Sequence, residues 1–229
     1  MKKLPSPTNG ASEVAKLAIG VAASLLPGAG VVAPIANFAI ERRVNAARNF
    51  VIEELSRGNI KILTDKQIDA LMPMGHKLSE AAKAGEYKHN LRLLAEILKN
   101  ELQKDEPDPC GFARMANRIS GLSLDEMKVI ALIDASLSKL NKSSTDAPTQ
   151  STRPFVSAQQ LASDPSNQGK YDRFLLEDFL NELAARGLLI PNGSMLAGKN
   201  EQYYYASRSF VELIENARSS LCAAAAPPT

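Results

Sequence analysis

Two histidines, two cysteines, one acidic run and one glycine-rich turn are the places where this chain could do chemistry. His76 and His89 each lack a Cys or acidic partner at metal-ligand spacing, so both read as core or surface residues. Asp105, Glu106 and Asp108 lie among Pro107 and Pro109, and a run of this kind is ordinarily a solvated loop. Cys110 sits between Pro109 and Gly111 without a neighbouring His, so nothing beside it favours the reactive thiolate. Gly28-Ala29-Gly30 lacks the third glycine and the preceding strand of a dinucleotide fingerprint. Neither a phosphate loop nor Gly-x-Ser-x-Gly occurs. The sequence names no catalytic, cofactor-binding or metal-binding residue, and it implies no cofactor. The chain reads as non-enzymatic.

The elements that carry these residues are helical in pattern. At 229 residues, 45% apolar and 23% charged, the chain has the material for folded cores. Aromatics are only 5% and Trp is absent, which suits Leu/Ala/Ile helix packing rather than a β-sandwich. A net charge of +2 does not by itself imply nucleic acid. Residues 1–70 hold nine basic and six acidic groups, residues 71–140 ten of each, and residues 141–229 eight and nine. Cys110 and Cys222 are far apart and imply no disulfide framework, which points to a reducing, cytoplasmic setting. Lys2 and Lys3 precede an apolar stretch, but Pro5, Pro7 and Glu13 intervene, which argues against a cleaved signal peptide.

The longest apolar segment runs from Leu17 to Ile40 without a charge and is broken by Pro27-Gly28-Ala29-Gly30. An unbroken helix of that length would rise about 36 Å, enough to cross a bilayer. Pro27 and the glycines instead predict two arms of about ten residues, each roughly 15 Å long. Ser12 caps the first arm, which ends near Leu26. The second runs from Val31 through Glu41 and on to Arg57, where Gly58-Asn59 stops it. Pro34 disturbs any helix running through it. Small residues at Ala18, Gly20, Ala22, Ser24, Ala29 and Ala33 suit close helix packing, equally in lipid and in a protein core. Leu17, Leu25, Leu26, Val31, Ile35, Phe38, Arg42 and Arg43 are the candidate contacts, with a membrane surface, a protein partner or a second copy as the occupant.

Helices are predicted over 64–72, 76–84, 86–104, from Phe112 to Ile119, and from Leu124 to Leu140, where Ser123 and Glu126 form a capping box. The stretch 141–153 reads as a loop, and residues 157–162 and 171–186 as helices, the second with Phe174, Leu175, Phe179, Leu180 and Leu183 on its apolar side. Two strands, Leu188–Ile190 and Gln202–Ala206, and a helix over 207–221 complete the chain. The fold class is therefore mainly α, in four parts. A loose leader spans 1–11, a helical region with the apolar hairpin 12–121, a winged-helix-like region with a small β-hairpin 122–221, and a disordered tail 222–229. The third helix of that winged helix carries a net charge of −2, which phosphate would repel, so nucleic acid is the weaker partner. A duplex contact would rest on Lys170, Arg173 and Lys199, the last beside Glu201. Tyr203, Tyr204 and Tyr205 could stack on bases, but their alternation suits local packing better.

Three stretches carry a resemblance to a known family. They are Leu26-Pro27-Gly28-Ala29-Gly30 followed by Arg42-Arg43 and Asn45-x-x-Arg48-Asn49, then Leu93-Leu94-Ala95-Glu96-Ile97-Leu98-x-Asn100, then Phe112-x-x-Met115-x-x-x-Ile119-Ser120-Gly121-Leu122-Ser123-x-Asp125-Glu126. Over about residues 17–140 the chain resembles the abortive-infection alpha family of bacterial and phage-related proteins. The resemblance implies a helical interaction protein acting in phage defence, at the periphery of the inner membrane where its hairpin engages lipid. It brings no catalytic residue. The reading from a different class is a winged-helix transcriptional regulator.

Overall fold

A computed structural model describes residues 34–58, 63–143, 154–167, 169–192 and 202–225. The chain is mainly α-helical with a small three-stranded antiparallel sheet, and it divides into two compact units between Gly121 and Leu122. Leu17, Leu25, Leu26, Val31 and Lys199 lie outside the described residues, as do the leader, the Pro27–Gly30 turn, most of the polar loop and the end of the tail.

The N-terminal unit comprises α1 (Pro34–Arg57), α2 (Asp65–Ala84), α3 (Lys88–Leu102) and α4 (Pro109–Ile119). α1 is described from Pro34 onward. Thr64 and Gln67 form a capping box on α2, and Asp108 caps α4 by accepting from Gly111 N at 2.8 Å.

The sequence predicts a break between residues 72 and 76, where Pro73 and Gly75 stand, yet α2 runs straight through. Pro73 is exposed, while Ala70, Leu71, Met74, Leu78 and Ala82 are buried on a stripe that continues past it. That stripe packs on α3 and α4. Burial at about 1.5–3 kcal/mol for each large side chain outweighs the roughly 3 kcal/mol that an interior proline costs.

Glu86 ties the α2–α3 turn to the end of α4. Its carboxylate accepts from Asn90 Nδ2 (2.8 Å), Ser120 Oγ (2.8 Å), Gly121 N (3.0 Å) and Tyr87 N (3.1 Å). Burial alone would raise its pKa, but these donors together hold it below the usual value. α2 ends on Gly85 at φ +93°, and the Arg43 guanidinium of α1 lies 2.9 Å from where a Cβ would stand there.

The C-terminal unit runs α5 (Leu124–Ser143), β1 (Phe155–Ser157), α6 (Ala158–Ser163), a 3-10 turn (Pro165–Asn167), α7 (Arg173–Ala185), β2 (Leu189–Asn192), β3 (Tyr203–Ala206) and α8 (Arg208–Ala225). The strand order is β1-β3-β2, with Val156 and Pro191 flanking Tyr204, and Phe155 and Ile190 flanking Tyr205. β1 is not predicted from the sequence; three residues cannot display an alternation, and this strand exists because the edge of β3 receives it. Ser123 and Glu126 close the capping box of α5, and Ser157 with Gln160 makes a second one on α6.

Replacing Gly85 by Ala should destabilise the protein by about 1–2 kcal/mol, because an L residue in a left-handed conformation costs that much. Arg43 is the end of a flexible side chain and can move aside, so the backbone term dominates. Urea unfolding followed by far-ultraviolet circular dichroism reads the change; an unaltered midpoint would show that the turn relaxes.

Candidate functional site

The exposed side of α7 and the neighbouring sheet form the part of the described structure where the candidate groups gather. Asp172 caps α7 by accepting from Leu175 N at 2.8 Å. At the other end Gly187, at φ +73°, reverses the chain while Leu188 N donates to Leu183 O at 2.9 Å. Leu176, Leu180 and Leu183 are fully buried at positions i, i+4 and i+7. Phe174 is two residues, or about 200°, from Leu176 and therefore points the other way.

The sequence places Phe174 and Leu175 on the apolar side with Leu180 and Leu183, and the structure corrects this. Phe174 is 77% exposed and Leu175 42%. Asp178 and Glu182 continue the exposed face from Phe174 at helical spacing. An acidic helix surface with an aromatic side chain at its start is the result.

Two of the three proposed duplex contacts lie at the start of this helix. Arg173 is its first residue and exposed, while the Lys170 ammonium sits 5.6 Å from the centre of the Tyr171 ring. Tyr171 Oη donates to Asp125 Oδ1 at 3.0 Å, and Lys128 Nζ reaches the same oxygen at 3.1 Å. The bond from Lys128 leads the effects that hold the Asp125 carboxyl below its usual range. Burial first, then the hydrogen bond to Asp125 and the Asp125 charge, push the Tyr171 phenol up to about 12.

The tyrosine run packs locally. Tyr204 is buried and its Oη donates to Asn181 Oδ1 at 2.7 Å, while burial, aided by Glu177, raises its pKa. Phe155 meets Tyr203 edge-on at 4.9 Å and Tyr205 at 6.2 Å, and Asn192 Nδ2 donates to Tyr205 Oη at 2.9 Å.

In the N-terminal unit Arg42 and Arg43 are exposed on α1, the second reaching Gly85; Ile35 and Phe38 belong to the same helix. The remaining polar candidates serve local structure. His76 pairs with Glu80 at 3.2 Å and His89 stacks on Tyr87 at 5.3 Å. Glu106 meets Lys66 at 3.0 Å, and Asp108 caps α4. Cys110 and Cys222 are exposed and unbridged. Among the described residues there is no group of three or more His, Cys, Asp or Glu able to hold a metal, and no helix is long and apolar enough to cross a membrane.

No protein-family model, curated protein or solved structure matches this chain.

The Tyr171 phenol provides a direct check. Its folded value lies above the ordinary 10, so its contribution to stability is full below about pH 10 and is lost as pH rises through about 12. Alkaline titration at the tyrosinate absorbance band should show late phenols at Tyr171 and Tyr204, of which Asp125→Asn moves only the first to lower pH. A titration indifferent to that substitution would remove the Tyr171–Asp125 bond from the account.

Proposed function

We propose that this chain is a non-enzymatic interaction protein of the abortive-infection type, acting in phage defence, with a winged-helix C-terminal unit used for protein contact. The winged-helix reading is supported by the order helix, strand, helix, helix, two strands, helix, and by the strand order β1-β3-β2. α7 then takes the position of a recognition helix. The observation that carries the protein-contact reading is the 77% exposure of Phe174 on that helix, in line with Asp178 and Glu182. Desolvated aromatic anchors dominate protein interfaces. The carboxylates, by contrast, repel a phosphate backbone. The apolar segment 17–40, with Arg42 and Arg43 beyond it, supplies the second contact of the proposal, to a membrane surface or to another copy.

Bacteria expressing the chain should plate a panel of phages at least about tenfold less efficiently than controls. Phe174→Ser should abolish the protection while leaving stability within about 0.5 kcal/mol, as expected of an exposed side chain. Duplex DNA titrated at low salt should not bind. Binding weakened by Lys170→Ala or Arg173→Ala, with Phe174→Ser indifferent, would replace this reading by a transcriptional regulator. For the second contact, the full chain should float with anionic liposomes and a chain lacking residues 1–40 should not; flotation of neither assigns the segment to protein packing.

A further inference from the structure

The C-terminal unit offers a second surface, lined by no residue of α7 and independent of the defence reading. A groove of about 520 Å³ runs beside α8, where that helix packs on α5. Leu137, Phe210 and Ile214 form its buried floor, and Val211 stands at its rim, 45% exposed. At one end Arg218 meets Asp134 of α5 at 3.4 Å, which engages both groups within the unit. Along α8, Arg208, Val211 and Glu215 follow at i, i+3 and i+7 and share one face.

The charges on that face are self-complementary. Arg208 and Glu215 are both exposed, the Arg208 side chain at 93%, and they stand equally far in sequence from the point between Val211 and Glu212. Each is about 5 Å along the helix from that point. A second α8 laid antiparallel across the first, with the two-fold axis at that point, brings Val211 against Val211. The same operation sets Arg208 of each copy opposite Glu215 of the other. A two-fold contact uses one patch twice, so both ion pairs form together and bracket Val211. An axis at Leu213 instead would oppose Arg208 to Arg218 and is disfavoured by like charge. Arg208 also bonds Glu212 at 2.9 Å in its own helix, but a guanidinium has five donors and holds both carboxylates.

We propose that this face of α8 is a two-fold dimer interface between copies of the chain, centred on Val211 and registered by Arg208 with Glu215.

The test uses the full chain. Sedimentation velocity at low ionic strength should give a dimer that salt weakens. Arg208→Glu or Glu215→Arg alone should weaken the dimer at least about tenfold, and the double variant should restore it. Arg208→Glu places a carboxylate in the first turn of a helix, where it is tolerated, so the fold is retained. In a chain with Cys110 and Cys222 replaced by Ser, Val211→Cys should give a disulfide-linked dimer on mild oxidation. A wild-type monomer overturns the proposal. So does a dimer that both single charge variants leave intact, a double variant that fails to recover, or Val211→Cys that does not cross-link.

Discussion

α3 is surrounded, and the N-terminal unit is arranged around that fact. Ten of its fifteen residues are buried, including Leu91, Leu93, Leu94, Ile97 and Leu98, so no side of it is left as an ordinary solvated face. A helix of this kind gains little alone and becomes stable only when α1, α2 and α4 cover it together. The constraint extends to its charges. Glu101 is buried and accepts from Asp108 N, and Lys99, mostly covered, lies 3.7 Å from the buried carboxylate of Glu54 on α1. Removing one partner of such a pair leaves the other desolvated, which makes these contacts specific even where their net contribution is small.

In the C-terminal unit the corresponding role falls to the meeting of β3 with α7. Tyr204 is buried on the sheet and bonds Asn181 of α7, which gives a large side chain both its apolar surroundings and a partner for its hydroxyl. Ser207 then fixes where α7 ends relative to α8. Its Oγ donates to Gly187 O at 2.8 Å, and its N–H donates to Leu188 O at 3.1 Å. With Leu176, Leu180 and Leu183 fully enclosed, the exposure of Phe174 reflects no deficiency of that core. It is a feature of the surface and is available to one.

Most helices were legible because their ends carry local chemistry. Ser123 with Glu126, Thr64 at the start of α2, and Gly187 at the reversal after α7 each act within a few residues, where a sequence can display them. What was hidden depends on partners distant in sequence. Pro73 stays inside α2 because α3 and α4 reward the stripe that passes it, and β1 forms because β3 is beside it. Phe174 was misplaced for a different reason. With Phe174, Leu175, Leu176, Phe179, Leu180 and Leu183 in one short helix, apolar residues occur all round, and only the packed neighbours decide which stripe is buried. The groove beside α8 likewise depends on α5, more than sixty residues upstream.

The distribution of carboxylates connects the fold to the functional reading. Acidic groups at helix starts and turns are committed to structure: Asp108 and Asp172 cap helices, Glu126 closes a capping box, Glu86 gathers the donors of the α2–α3 turn, and Asp125 receives Tyr171 and Lys128. Each of these accepts from a donor of its own unit. Asp178 and Glu182 differ, since both remain on the exposed side of α7 beyond Phe174. Acidic groups left in solvent around an exposed ring keep the surface soluble when free and select against polyanions. A basic partner with an apolar pocket gains from both features at once. That asymmetry, more than the net charge of the chain, is what favours the proposed protein contact over entry into a DNA groove.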